Sequence, residues 1–129
     1  CKAPDCRQLK RPSLFAVFLC SGNDAPAIFP PEKGQSCSEC RPPALYQHSV
    51  TTDSNGFIYV FGGSVSFVLR SNQIWRYDPE SNEWAWLGGS SAFNTYGNYG
   101  TWRELSASAM PASRYSSGAA IHPRTGNLW

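Results

Sequence analysis

GFIYVFGG, residues 56–63, sets five consecutive apolar residues between a single glycine and a glycine pair. Side chains of a strand alternate between its faces, so Phe57, Tyr59 and Phe61 share one side and Ile58 and Val60 the other. A strand apolar on both faces must be covered on both. Working outward, YQHSVTT (46–52) reads as a strand ahead of the turn Asp53-Ser54-Asn55-Gly56. Beyond Gly62-Gly63 come the loop SVSFVLRS (64–71), a third strand NQIWRY (72–77), the turn DPESN (78–82) and a fourth strand EWAWL (83–87), with Trp84 and Trp86 on one face. Four strands joined in sequence make an antiparallel meander. So small a sheet is not stable alone, and the expectation is that similar sheets stack on both sides of it. The paired glycines let the chain leave a crowded position without a Cβ clash.

Self-comparison supports stacking. Residues 41–59, RPPALYQHSVTTDSNGFIY, are echoed by residues 110–129, MPASRYSSGAAIHPRTGNLW. Pro42 aligns with Pro111, Tyr46 with Tyr115, Gly56 with Gly126 and Tyr59 with Trp129, with a slip of one residue in the turn. A second unit therefore starts near the end of the sequence. Gly62 and Gly63 after the second strand, Tyr77 on the third and Trp84 on the fourth together resemble the kelch repeat of β-propellers. The resemblance implies an all-β, partial kelch-type propeller: a four-stranded antiparallel blade at 42–90, a long inter-blade loop at 88–110 and the start of the next blade at 111–129. Kelch units run to about 50 residues; the excess here is the segment 88–110. The remaining blades would come from a longer chain, of which this sequence is read as a piece. A single β-sandwich is the alternative architecture.

The segment before the blade, 1–41, differs in composition: it holds all five cysteines and every lysine of the 129-residue chain. It is expected to be irregular or linker-like. Leu14–Cys20 (LFAVFLC) is too short to span a bilayer. Lys10 and Arg11 before it and Ala25-Pro26-Ala27 after it follow the order of a secretory signal, but a short buried strand is the preferred reading of the same residues. Cys37-Ser38-Glu39-Cys40 is a C-x-x-C and Cys1 to Cys6 a C-x4-C. Structural disulfides, free thiols and zinc are the readings open to them. A redox site would place the pair at a helix N-terminus, which Arg41-Pro42-Pro43 forbids. Cysteine density points outside the cell or to the secretory pathway, with a cytoplasmic adaptor as the alternative.

Eleven Lys plus Arg against nine Asp plus Glu leave a formal charge of +2, too little to attract nucleic acid or an anionic membrane surface. No metal or cofactor is implied by the pattern. His48 and His122 sit at unmatched repeat positions, and Asp53, Asp78, Glu80 and Glu83 lie in or beside turns as caps, so no catalytic residue is assigned. In a meander, the loop 64–71 and the segment 88–110 leave the same sheet end, where binding residues gather. Arg70, Tyr96, Tyr99, Trp102 and Arg103 are the candidate ligand-binding residues there, because aromatic and Arg side chains anchor protein interfaces and stack on sugars. The alternative use of these rings is to pack the loop onto its own blade. The resemblance implies a non-catalytic module binding protein or glycan. The second expectation is a piece of a kelch-fold enzyme acting on carbohydrate, like galactose oxidase or a sugar epimerase; the third is a structural ectodomain segment. A copper radical site would need a Tyr crosslinked to Cys, and residues 42–129 contain no Cys.

Overall fold

The computed structural model describes residues 26–104 and 106–128. The run Leu14–Cys20, Cys1 and Cys6 lie outside the described residues, as does Trp129. The described chain is all-β, built on one five-stranded antiparallel sheet: β1 (Ser36–Cys37), β2 (Ser49–Thr52), β3 (Ile58–Phe61), β4 (Ile74–Asp78) and β5 (Glu83–Gly88). Its order is β1-β5-β4-β3-β2. Strands β2 to β5 are the expected meander. The fifth strand, β1, comes from the segment expected to be irregular and pairs Ser36 with Ala85 and Cys37 with Trp84.

Two strands are shorter than the sequence implies, and the backbone explains both. Gln47 has φ of 53° and interrupts the first, so that Tyr46 meets Ser64 as an isolated bridge. Ser71, Asn72 and Gln73 are polar yet completely enclosed, and they bond to loops instead of extending β4. Gly62 N–H donates to the Gln73 carbonyl, Ser71 N–H to Gly63 and Arg114 N–H to Ser71.

Register decides the core. Val50, Val60, Trp75 and Trp86 are neighbours across β2 to β5 and share one face. That face is covered by the chain itself: Ala27, Phe29, Cys37, Cys40 and Leu45 pack on Val60 and Trp75. The Phe29 ring lies 5.4 Å from Trp75 and 4.6 Å from Trp86, edge-on to the latter, an arrangement favoured by ring quadrupoles. Lys33 continues the cover, with Nζ 4.7 Å from the Trp86 ring and donating to the Gly89 carbonyl. On this side a short segment ahead of the blade supplies the cover, with Phe29 as its one ring over Trp75 and Trp86. Cys37 and Cys40 form a disulfide that closes the turn after β1.

The opposite face receives the chain returning from the long segment. Gly63 N–H donates to the Arg114 carbonyl and Ser116 N–H to that of Gln47. Ser49 Oγ bonds to the Ser117 carbonyl. A Cβ on Gly62 would stand 2.7 Å from the Arg114 carbonyl oxygen, and one on Gly63 2.8 Å from His48 Cβ. Gly62 therefore admits the backbone of the returning segment and Gly63 that of Tyr46 and His48, which is the crowding the sequence implied.

The repeat is visible in the turns. Asp53 N–H bonds to the Phe57 carbonyl and Gly56 N–H back to Asp53; at the second copy His122 N–H bonds to Asn127 and Gly126 N–H back to His122. The second turn is longer by one residue, the slip seen in the sequence. Asp53 Oδ1 accepts from Asn55 and Phe57, and His122 Nδ1 takes the matching place, accepting from Arg124 and Thr125. Residues 111–128 otherwise carry one isolated bridge, Ile121 with Leu128. No helix of the described residues is long and apolar enough to cross a membrane.

Candidate functional site

Of the motif residues, Gly62 and Gly63 lie at the loop end of the sheet, while Tyr77 and Trp84 meet at the opposite end. Tyr77 and Trp84 are direct cross-strand partners with ring centroids 5.0 Å apart. The Tyr77 hydroxyl donates to Asn82 Oδ1 at 2.7 Å, and Asn82, with φ of 58°, closes the β4–β5 turn. Burial pushes the Tyr77 phenol up, keeping it a donor. Asp78 Oδ1 accepts from Glu80 and Ser81 N–H, and these bonds hold its carboxyl below the usual range. Asp53 and Asp78 thus serve turns, as their positions imply.

At the other end, the β3–β4 loop and the segment after β5 are joined by one residue. Asn94 N–H donates to the Arg70 carbonyl, its Oδ1 accepts from Arg70 N–H, and its Nδ2 donates to the Val68 carbonyl, all at 2.8–2.9 Å. Its φ of 55° is one that Asn tolerates better than most residues. Asn72 ties the same segment down at its root, accepting from Ser90 N–H and donating to Pro111. Thr95 with Ser113 and Asn98 with Met110 then close residues 95–113 into a finger.

Of the candidate residues, Tyr96 and Trp102 stand in solvent, 97% and 80% exposed, and Phe67 on the neighbouring loop is 97% exposed. The Arg103 guanidinium lies 4.3 Å above the Trp102 ring. Tyr99 is divided: its ring is largely exposed, but its hydroxyl accepts from Arg114 Nη2 at 2.9 Å and lies against Ala112 N–H. Arg70 rests over Tyr115, 5.0 Å from the ring, and so belongs partly to the scaffold. The structure gathers Arg70 with Tyr115, Tyr99 with Arg114, and Trp102 with Arg103 as three separate pairs, not one pocket. Asn94 and Asn72 hold this end together; Asn94 escaped the sequence reading because a lone Asn in a Ser- and Gly-rich stretch looks like any turn residue, and Asn72 because it reads as the first residue of a strand.

The family model of the kelch motif matches residues 44–91. No curated protein and no solved structure matches the chain. The matched span covers β2 through β5, with the glycine pair, the Tyr77–Trp84 pair and the turn at 78–82 all inside it. Residues 44–91 are thus a kelch motif folded as one blade.

Proposed function

We propose that the chain is a non-catalytic binding module that grips a partner protein with the sheet end formed by 64–71 and 88–110. The observation supporting this is the state of Phe67, Tyr96 and Trp102, three large rings left in water on loops that Asn94 and Asn72 fix in place. Exposed rings scattered on mobile loops carry little meaning, but rings on an ordered tip meet a partner without a large ordering cost. Aromatic and Arg side chains are the anchors enriched in protein interfaces, and the Trp102–Arg103 pair supplies both chemistries at one point.

The test is a peptide array and a glycan array, each probed with the wild-type chain and with the F67S/Y96S/W102S variant. Retention on a subset of peptides that the variant loses, with its melting curve unchanged, is the expected outcome. Equal retention of both chains would remove the binding role from this end, and retention confined to glycans would replace the protein partner with a sugar.

A further inference from the structure

The turn joining β2 to β3 holds a reactive pair, Asn55 followed by Gly56, and no other asparagine of the chain precedes a glycine. Residues 54–56 are exposed. Gly56 has φ of 87°, and no described atom beyond its chain neighbours lies within 4 Å of the place a Cβ would take. Asparagine is among the thermolabile side chains, because its amide carbon is open to attack by the backbone nitrogen that follows. A glycine there removes the Cβ that would hinder the approach.

The structure separates Asn55 from the other asparagines. Asn72, Asn82, Asn94 and Asn98 each commit a side-chain atom to a hydrogen bond, and each precedes a residue with a Cβ. Asn55 bonds only through its backbone N–H, which donates to Asp53 Oδ1 at 2.9 Å, and its side-chain amide has no hydrogen bond among the described residues. The second copy of the turn offers a contrast. Gly126 stands in the place of Gly56, with φ of 68° and its N–H donating to the His122 carbonyl as Gly56 N–H donates to that of Asp53. Thr125 precedes it, and a threonine side chain has no carbonyl carbon to attack.

We propose that Asn55-Gly56 is a site of spontaneous deamidation, with water as the only co-reactant. Gly56 N–H first leaves the Asp53 carbonyl, to which it donates at 3.2 Å. The Gly56 nitrogen then attacks Asn55 Cγ. A new C–N bond closes a succinimide ring, the Cγ–Nδ2 bond breaks, and the Gly56 proton departs with Nδ2 as ammonia. Water opens the ring without any change of oxidation state. Opening at Cγ gives aspartate; opening at the Asn55 main-chain carbonyl gives isoaspartate, whose main chain runs through Cβ. Either product sets a carboxylate beside Asp53, whose Oδ1 accepts from Asn55 and Phe57 N–H and whose Oδ2 accepts from the Tyr59 hydroxyl. Isoaspartate also adds a main-chain carbon inside the turn that Asp53 N–H closes on the Phe57 carbonyl, and turn length fixes hairpin register. The site lies at the opposite end of the sheet from the exposed rings and does not depend on them.

The test is to age the folded whole chain in mildly alkaline buffer at body temperature and to map its peptides by mass spectrometry, which reads conversion at each asparagine. Conversion at Asn55 is expected to run at least about tenfold faster than at any other asparagine, a barrier lower by about 1.4 kcal/mol. Two products of equal mass should separate on chromatography, isoaspartate and aspartate, and both should form faster as pH rises, since the attacking nitrogen must lose its proton. Asn55→Gln should remove both. Conversion at Asn55 no faster than elsewhere would overturn the proposal, as would the same mass change persisting at that position's peptide in Asn55→Gln. Conversion in urea but not in the folded chain would overturn it too, because the folded turn would then be protecting the amide.

Discussion

On one side of the blade, Val50, Val60, Trp75 and Trp86 lie under carbon supplied by Phe29, Cys40 and Leu45; on the other, Ser49 and the glycine pair meet the backbone of residues 114–117. The first cover is contributed by chain before the blade and works by excluding water. The second comes from chain after it and works by hydrogen bonds that require close approach. Apolar cover tolerates substitution and supplies most of the free energy. Backbone docking supplies less, but it fixes where the returning segment sits, and therefore where the finger of Tyr99 and Trp102 emerges.

Emptying the apolar side should have the largest effect. Trp75→Ala removes a side chain with no exposed surface and leaves Gln73 Oε1 without its donor, so a loss of about 3–5 kcal/mol is expected in urea unfolding. Gly62→Ala strikes the other side. A Cβ there meets the Arg114 carbonyl at a φ of 66°, and the expected cost is on the order of 2 kcal/mol. Should Gly62→Ala prove the more damaging of the two, backbone docking and not ring packing would be what holds the blade.

The smallest effect sharpens the comparison through pH. His48 stands beside Gly63, half-buried, and burial holds its imidazole below the usual value, outweighing the hydrogen bond to the Leu45 backbone. The unfolded chain then binds a proton that the folded chain refuses. Stability from this residue is full above the unfolded pKa of about 6.5 and is lost as pH falls through that value toward the folded pKa. His48→Gln should flatten that part of the stability profile between about pH 7 and 5; an unchanged slope would show that the groove beside Gly63 does not exclude the charge.

The blade was legible because its signals are local. Gly62-Gly63, the alternation through Phe57–Phe61 and the spacing of Tyr77 from Trp84 each concern residues that neighbour one another in the strand or across one turn. The turn at 122–127 was legible for the same reason, since Gly126 repeats Gly56. The cover from 27–45 was not, because GQSCSEC (34–40) shows no alternation and β1 finds its partner 47 residues downstream. At the loop end, the sequence named rings but could not say which of them the scaffold would occupy. Tyr99 and Arg70 are tied down by Arg114, Asn94 and Tyr115, contacts made only when the finger folds back. Gln73 gave little signal: alternation sets it on the face of Trp75 and Tyr77, but only the structure shows its amide enclosed and bonded to the indole.

Strand β1 is only two residues long, yet it occupies the outer margin of β5, where Ser36 Oγ donates to Glu83 Oε2 at 2.7 Å. An uncovered β5 would offer a row of free backbone groups beside Trp84 and Trp86, a template for recruiting the same strand from another molecule. The disulfide anchors that guard by tethering Cys37 to the enclosed Cys40. Reducing conditions would thus endanger the protein first through its solubility, with strand-to-strand growth of fibrous assemblies preceding any loss of the blade itself.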